Sequence, residues 1–326
     1  MGGVIEAHEL RKHFGSRGKL VEAVRGVSFE VTKGEIFGFL GPNGAGKTTT
    51  LRMLTTLLPI DDGQARVAGL DVATAPARVR ERIGYVSQLG GADMLATGRE
   101  NLMLQGRLYG GERVEVASRV EQLLGLLDLA SFADRQVKTY SGGQRRRLDI
   151  ALGIVHEPEV LFLDEPTTGL DPQNRANLWE HVRALRDRGV TVFLTTHYLD
   201  EADALCDRVM IIDDGTIVAE GSPRELKRDI VGDSIVLRVD DDDGWLGRVE
   251  AVLANAPSVR STVPGEDGQL RCYVDDGAVA LPDLLRRIDA ANLGLKAISL
   301  SEPTLDDVFL AKTGRSLRDG GEDGGS

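Results

Sequence analysis

Cysteine is scarce in this chain. Cys206 and Cys272 are the two cysteines among 326 residues, and they form no C-x-x-C pair. Disulfide frameworks and structural zinc sites need more cysteines at closer spacing, so the sequence indicates neither. The reducing cytosol is therefore the expected compartment.

Long apolar runs are missing as well. No stretch approaches the roughly 18 apolar residues that a membrane-spanning helix needs. The N-terminus lacks the basic-then-apolar order of a signal peptide, and Glu6 stands where a myristoylation motif requires Ser or Thr. We therefore expect a chain that neither spans a membrane nor carries a lipid.

Positive charge is in deficit, since 39 Lys and Arg residues face 51 Asp and Glu residues, a formal net charge of -12. A surface of that sign repels nucleic acid unless basic residues cluster locally, so DNA and RNA are not expected partners. The length suits two or three domains.

The pattern from about residue 4 to 222 alternates apolar strands with helical segments, which predicts an α/β domain with a partly parallel sheet. The clearest strands lie at residues 35–40, 160–163 and 190–194. Leucine and valine recur at helical spacing between residues 95 and 137, so a helical insert is expected there.

Composition shifts after residue 222. Residues 230–313 show the pattern strand, helix, strand, strand, helix, strand, and this βαββαβ order is typical of a small ferredoxin-like α+β domain. The Gly- and Asp-rich tail at 314–326 is expected to be disordered.

A glycine-rich segment, Gly41-Pro-Asn-Gly-Ala-Gly-Lys-Thr48, follows a predicted strand and precedes a helical segment. It satisfies the P-loop pattern G-x-x-x-x-G-K-[ST], whose glycines let backbone N–H groups turn toward phosphates. Lys47 can then reach the β and γ phosphates, and the hydroxyl of Thr48 can bind Mg²⁺. The segment predicts a nucleoside triphosphate site rather than an ordinary βα turn.

Two acids, Asp164 and Glu165, end a second apolar strand, where paired carboxylates are too costly to serve packing alone. Asp164 is placed to hold Mg²⁺ through its waters, and Glu165 to polarise an attacking water. His197 and Gln88 follow further strands and are candidates for the γ phosphate and for the metal or water. On the residues alone, a structural His197 and an ordinary loop Gln88 stay open.

A second helix start with anion-binding features lies at residues 141–144. Ser141 suits the N-cap, Gln144 completes a capping box, and two glycines leave N–H groups open to a ligand. The arginines at 145–147 are expected to stabilise the exposed start of this helix and its surroundings. One chain thus carries two predicted anion sites.

Six motifs in this order resemble those of the nucleotide-binding subunit of an ATP-binding cassette (ABC) transporter. They are Walker A at 41–48, the Q-loop at Gln88, the signature at 141–144, Walker B at 164–165, the D-loop at 169–171 and the H-loop at His197. The resemblance covers about residues 4 to 222. It implies an ATPase with a P-loop fold and a helical subdomain at about 89–150.

The resemblance also implies a role for each site residue. Catalytic roles would fall on Glu165 as general base, His197, Gln88 and Lys47. The metal ligands would be Thr48, Gln88 and Asp164. Nucleotide contacts would come from Phe14, Gly41, Pro42, Asn43, Gly44, Ala45, Gly46, Lys47, Thr48, Thr49, Ser141, Gly142, Gly143, Gln144 and Asp171.

Two positions depart from the family pattern. Phe14 stands where the adenine-stacking residue is usually Tyr, and an apolar core role is its alternative. Tyr140 replaces the usual Leu before the signature. Residues 97–102 and 300–310 narrow the resemblance to the daunorubicin-resistance-type branch, whose ATPases pair with a separate permease.

That branch implies two kinds of partner. A second copy of the chain would complete a dimer in which two ATP molecules, with Mg²⁺, lie between the P-loop of one copy and the signature of the other. An integral-membrane permease, received by a groove on residues 89–137, would hold the chain at the inner face of the cell membrane. Two alternatives stay open: a soluble ABC clamp acting on nucleic acid or ribosomes, and a ligand-sensing ATPase.

Overall fold

The structure is a computed structural model that describes residues 2–16, 19–228, 233–238, 245–254, 256–265, 269–291, 293–301, 303–314 and 316. The chain divides between Glu220 and Gly221 into two compact units. Within the described residues, no helix is both long and apolar enough to cross a membrane.

A largely parallel sheet forms the centre of the first unit, in the order β10-β9-β3-β8-β7-β6. Its strands are β3 (Ile36–Leu40), β6 (Ile83–Val86), β7 (Val160–Asp164), β8 (Thr191–Thr196), β9 (Arg208–Asp213) and β10 (Thr216–Gly221). Strands β3, β7 and β8 are buried along their whole length, which explains the apolar residues at their centres. The predicted α/β architecture is confirmed.

A second, antiparallel sheet covers part of this core in the order β2-β1-β4-β5. Its strands are β1 (Ile5–Ser16), β2 (Lys19–Val31), β4 (Asp62–Val67) and β5 (Leu70–Asp71). The ring of Phe29 on β2 stacks on Phe37 of β3 with centroids 5.7 Å apart, so the two sheets share one apolar core.

Helices follow the strands of the first unit. They are α1 (Lys47–Leu54), α2 (Pro76–Arg82), α3 (Gly98–Leu108), α4 (Arg113–Leu126), α5 (Gly142–Ile154), α6 (Pro172–Arg186) and α7 (Leu199–Leu205). The predicted helical insert is present as α3 and α4. Their close approach needs glycine at position 106, because a Cβ there would lie 2.5 Å from Cγ1 of Val116.

The second unit contains α8 (Pro223–Leu226), β11 (Asp233–Arg238), α9 (Trp245–Ala254), β12 (Val259–Pro264), β13 (Gln269–Val274), α10 (Gly277–Ala290), β14 (Ala297–Ser301) and α11 (Leu305–Thr313). Its strands pair antiparallel in the order β12-β13-β11-β14. From β11 to β14 the elements follow the predicted βαββαβ order. The predicted tail lies, beyond residue 316, outside the described residues.

One buried carboxylate fastens α11 to the sheet of the second unit. Asp307 accepts hydrogen bonds from Tyr273 Oη at 2.7 Å and from the backbone N–H of Thr304 at 2.8 Å, and it pairs with Arg271. Burial alone would raise the pKa of Asp307. The hydrogen bonds from Thr304 and Tyr273 and the charge of Arg271 nevertheless hold that pKa below its ordinary value.

Candidate nucleotide site

The P-loop connects β3 to α1 and presents an uncapped helix start. Gly46, the N-cap of α1, has φ of 101°, and a Cβ at this position would lie 2.5 Å from the carbonyl oxygen of Ala23. Glycine is therefore required both by conformation and by space. No side chain caps α1, so its first N–H groups and its dipole are directed at an incoming anion.

The ammonium group of Lys47 is buried beneath this loop. Its Nζ donates to the carbonyl oxygens of Gly41 at 2.7 Å and Pro42 at 3.0 Å. Burial lowers the pKa of Lys47, and the carboxylates of Glu165 and Asp164 offset only part of that effect. A phosphate arriving beside Lys47 would supply the missing negative charge.

Asp164, at the end of β7, is also buried. Its Oδ1 accepts a hydrogen bond from Thr195 Oγ1 at 2.7 Å and one from Thr48 Oγ1 at 3.0 Å. The carboxylate, the hydroxyl at the start of α1 and the end of β8 thus meet at one point. This is the edge formed by the carboxyl ends of parallel strands, where open α/β sheets bind their ligands.

The carboxylate of Glu165 lies at the centre of the four predicted catalytic residues. Its Oε1 is 3.3 Å from Nδ1 of His197 and 3.8 Å from Nζ of Lys47. Its Oε2 accepts hydrogen bonds from Nε2 of Gln88 and from Oγ1 of Thr168, both at 3.2 Å. The structure therefore brings the four side chains together, although they come from separate parts of the sequence.

These neighbours also set the charge state of Glu165. Burial alone would raise its pKa, but the neighbouring imidazole of His197, the charge of Lys47 and the hydroxyl of Thr168 hold the pKa below the ordinary value of 4.5. The carboxylate is consequently ionised at neutral pH, which is the state that a general base needs.

The signature segment begins α5 with a complete capping box. The backbone N–H of Gln144 donates to Ser141 Oγ at 3.2 Å, and that of Ser141 donates to Gln144 Oε1 at 3.0 Å. Within the described part of the chain, no hydrogen bond joins residues 141–144 to residues 41–48. The second helix start is therefore not bonded to the P-loop of its own chain.

Residues beside the signature explain two local sequence features. A Cβ at Gly143 would lie 2.4 Å from Oδ1 of Asn174 on α6, so a larger residue would displace that side chain. Asp171 caps α6 by accepting from the backbone N–H of Asn174 at 3.0 Å. Tyr140 replaces the usual leucine without loss of packing, because its hydroxyl donates to the carbonyl oxygen of Phe132 at 2.8 Å.

Phe14, near the end of β1, is 43% exposed, and Nζ of Lys12 lies 5.8 Å from the centre of its ring. That exposure does not fit the alternative of an apolar core residue. An open aromatic face on the first unit is what stacking on a base requires.

Sequence reasoning missed the role of Arg146. The sequence predicts Arg146, like its two neighbours, at an exposed helix start, but its side chain is buried and donates to three backbone carbonyls. The run of three arginines in the sequence carries no signal that separates the buried one from the others. Arg146 lies three residues after Gly143, so the two share a face of the helix, and Gly143 packs against α6. This spacing is the sequence feature that comes nearest to indicating a buried side chain at Arg146.

Comparison with known proteins agrees with this geometry. Residues 24–168 match the ABC transporter family, and residues 221–313 match the ATP-binding protein DrrA1-3-like, C-terminal domain. The chain belongs to the ABC transporter family and is an ATP-binding subunit with ATPase activity. Within that family, its C-terminal unit groups it with the DrrA-like ATP-binding proteins, so the resemblance inferred from the sequence is confirmed.

Three curated relatives show how far the similarity extends. The daunorubicin resistance ATP-binding protein DrrA2 of Streptomyces coeruleorubidus is 43% identical over 96% of both chains. The daunorubicin/doxorubicin resistance ATP-binding protein DrrA of Streptomyces peucetius is 45% identical, covering 91% of this chain and 89% of its own. The Nod factor export ATP-binding protein I of Paraburkholderia xenovorans is 40% identical over 97% of this chain and 98% of its own.

Solved structures match the first unit. The cbiO1 protein of Clostridium perfringens, part of an ABC transporter complex, superposes with a TM-score of 0.63 at 25% identity, covering 69% of this chain and 91% of its own. An ATP-binding cassette of an ABC transporter in its ADP conformation gives 0.60 at 27% identity, covering 69% and 92%.

Proposed function

We propose that this chain is the ATP-hydrolysing subunit of a membrane exporter for drug-like or antibiotic compounds, and that it works with a separate permease. The convergence of Gln88, Lys47 and His197 on the carboxylate of Glu165 is the observation that supports the ATPase chemistry most directly. The names of the relatives, which concern drug resistance and Nod factor export, favour this reading over a nucleic-acid clamp or a ligand sensor.

The residues fit the binding of Mg²⁺ beside the triphosphate. Thr48 and Asp164, already 3.0 Å apart, and the amide of Gln88 present hydroxyl, carboxylate and carbonyl oxygens, the hard ligands that Mg²⁺ prefers. When bound there, the ion would supply positive charge to the phosphate oxygens. Within the described residues there is no cluster of three or more His, Cys, Asp or Glu side chains that could hold a metal ion, and the proposed ligand set does not need one.

Hydrolysis then follows from the surroundings of Glu165. The ionised carboxylate accepts a proton from a water held by Gln88, and the water oxygen attacks the γ phosphorus. The bond from that phosphorus to the bridging oxygen of the β phosphate breaks, so ADP and phosphate are the products. Lys47 and the N–H groups at the start of α1 neutralise the charge that develops on the phosphate oxygens. His197, 3.3 Å from Glu165, orients both the carboxylate and the γ phosphate.

The signature of one copy would complete the site of the other. Gly142 and Gly143, which follow the N-cap Ser141, leave N–H groups at the positive end of the helix dipole of α5, and among the described residues these groups make no bond to the P-loop of their own chain. Charge-assisted hydrogen bonds contribute about 1.5 to 3 kcal/mol each. A few at each of two sites are comparable with the roughly 4 to 15 kcal/mol cost of association, so closure of the dimer depends on ATP and reverses after hydrolysis.

The permease would dock beside the Q-loop and hold the chain at the inner face of the membrane. A cavity of about 350 Å³ opens there between the parallel sheet and the helices α3 and α5. Tyr85, Gln105 and His156 line it, together with Ser87, which directly precedes Gln88 in the chain. Leu89 and Leu95, 98% and 69% exposed, lie on the same loop and present apolar surface to a partner.

Substitution of Glu165 by Gln tests the proposed chemistry. The variant should bind ATP as the unmodified chain does and form an ATP-dependent dimer on gel filtration, while turnover falls by at least about tenfold because the general base is lost. Glu159→Gln is the matched control, since Glu159 precedes the same strand but pairs with Arg82 at the surface. A Glu165→Gln variant that hydrolyses ATP at the unmodified rate would contradict the assignment.

A further inference from the structure

The side chain of Arg146 is buried one turn after the start of α5, with 7% of its surface exposed. Each of its three nitrogens donates to a different backbone carbonyl. Nε bonds the oxygen of Pro166 at 2.7 Å, Nη2 that of Asp164 at 3.0 Å, and Nη1 that of Ser87 at 2.7 Å. A planar guanidinium can satisfy three acceptors in fixed directions, which an ammonium group cannot do.

Two of these carbonyls belong to the residues on either side of Glu165. Glu165 itself has φ of 45°, a left-handed conformation that non-glycine residues seldom adopt and that the surrounding structure must impose. Its backbone N–H is held by both the carbonyl oxygen and Oγ1 of Thr195, each at 3.1 Å. Arg146 therefore adds, from a different element, a bond to the carbonyl on each side of Glu165, while the carbonyl of Glu165 itself accepts from the N–H of Thr168 at 3.3 Å.

The third carbonyl is that of Ser87, the residue before Gln88. One turn further along α5, Asp149 accepts a hydrogen bond from the backbone N–H of Gly91 at 3.0 Å. Arg146 and Asp149 lie on one face of α5 and hold the two ends of the loop that carries Gln88. Since Gln88 also donates to Glu165, the guanidinium controls both the carboxylate and its hydrogen-bond partner.

We propose that Arg146 is a positioning residue for the carboxylate of Glu165, which it holds in the reactive place by bonding the peptide groups around Glu165 and Gln88. The inference rests on the proposed role of Glu165 as general base. It also assigns α5 a second task. The first turn of α5 would contact the nucleotide bound to the other copy. One turn later, Arg146 of the same helix positions Glu165 in the site of its own chain.

Two substitutions separate geometry from charge. Arg146→Gln keeps polar donors but cannot reach all three carbonyls, and Arg146→Lys keeps the charge but loses the planar fork. Both should lower kcat for ATP hydrolysis by the full-length chain by about 10- to 100-fold, because small displacements of a catalytic group have effects of that size. KM and the dissociation constant for ATP should stay within about threefold, since Lys47 and the P-loop are untouched.

Arg147→Gln is the matched control. Arg147 is the next residue of the same helix and also donates to backbone carbonyls, those of Leu127 at 3.0 Å and Asp128 at 3.3 Å, which belong to the end of α4 and the turn after it. Its loss should lower the melting temperature by about as much as the Arg146 substitutions do, with kcat unchanged. The comparison removes the general effect of deleting an arginine of α5 that bonds backbone carbonyls.

A double-mutant cycle with Glu165→Gln gives the decisive readout. If Arg146 acts through Glu165, Arg146→Gln should change the residual rate of the Glu165→Gln chain by less than about threefold, because coupled residues are not additive. A full additional loss in that background would overturn the inference. So would an unchanged kcat in Arg146→Gln, full activity in Arg146→Lys, or loss of folding or of ATP binding in both variants.

The same experiment separates this inference from the function on which it rests. If the Glu165→Gln chain hydrolyses ATP at the unmodified rate, the roles proposed for Glu165 and for Arg146 are both overturned. An inactive Glu165→Gln chain beside a fully active Arg146→Gln chain would leave the general base in place and overturn the role of Arg146 alone.

Discussion

The hydroxyl of Thr48 donates to Oδ1 of Asp164 over 3.0 Å, and this bond joins the first turn of α1 to the end of β7. The P-loop and the acidic end of β7 are therefore already held together. The same two oxygen groups are those proposed to bind Mg²⁺, so the metal site needs little rearrangement of the chain.

Replacement of Thr48 by Val should raise the Mg²⁺ concentration needed for half-maximal hydrolysis and lower kcat by at least about tenfold, because one oxygen ligand and its tie to Asp164 are lost. Thr55→Val is the control. Thr55 lies at the other end of α1, where its hydroxyl bonds only backbone carbonyls of the same helix. A steady-state titration of hydrolysis with Mg²⁺ measures the effect, and equal curves for the two variants would argue against Thr48 as a ligand.

A cysteine in place of Leu95 should crosslink to the permease when the two are co-expressed in membranes. Leu95 is exposed on the loop whose Gly90 and Gly91 line the proposed docking cavity, and both native cysteines are buried, so a thiol reagent would act at the introduced site. Leu300→Cys, half-exposed on β14 of the C-terminal unit, is the control. Gel mobility shifts detect the product; crosslinks that form from position 300 but not from 95 would place the permease elsewhere.

Substitution of Asp307 by Asn should destabilise the C-terminal unit by about 1 to 3 kcal/mol at neutral pH, since a buried charged acceptor is lost. Its pKa is lower in the folded chain than its ordinary value of 3.8. Its contribution is therefore complete above that value and is lost as the pH falls through the folded-state pKa. As the pH falls through that pKa, the difference in unfolding free energy between the unmodified chain and Asp307→Asn should therefore decrease.

Hydrogen exchange of residues 305–313 localises this effect, and urea unfolding at several pH values measures its size. Asp283→Asn is the control in the same unit, because Asp283 makes only a surface i,i+4 pair with Arg287 and such pairs contribute about 0.3 to 0.5 kcal/mol. An equal loss in both variants, or a loss that persists at acidic pH, would show that Asp307 does not hold α11 through its charge.

The sequence alone predicts those parts of the site whose residues lie close together in the chain. The P-loop spacing, the acids at the end of β7 and the capping box at Ser141 each lie within a few consecutive residues, so pattern and propensity predict them directly. The βαββαβ order of the second unit was accessible for the same reason, since each strand and helix has its own periodicity.

Features that depend on long-range packing were not predictable. Nothing near Glu165 in the sequence indicates its left-handed conformation, because Thr195 and Arg146 impose it from other elements. Tyr273 and Arg271 likewise meet Asp307 only through the sheet pairing of β13. Arg146 is buried among three consecutive arginines, and Asp164 is the more deeply buried of two consecutive acids. Which side chain is buried depends on neighbours from distant parts of the chain, and a single sequence does not reveal those neighbours.

The division of the active site between two copies can be tested by mixing two inactive chains. Ser141→Arg should bind ATP but not hydrolyse it, since arginine both removes the N-cap of α5 and blocks the approach of the partner's nucleotide. Lys47→Ala should fail through its own P-loop, because the buried ammonium that meets the phosphates is lost. Each variant alone should therefore show only background ATPase activity.

An equimolar mixture of the two should recover up to about one quarter of the unmodified rate, because about half of the dimers pair one of each and one of the two sites in each such dimer is intact. The rate of phosphate release, measured against each variant alone at the same total concentration, is the readout. Ser141→Arg mixed with Glu165→Gln should recover about as much, because the competent site takes its P-loop and its Glu165 from the Ser141→Arg chain and only its signature from the Glu165→Gln chain. Markedly less recovery than in the first mixture would show that Glu165 does not act with its own P-loop. No recovery in either mixture would mean that signature and P-loop act within one chain, and the N–H groups of Gly142 and Gly143 would need another ligand.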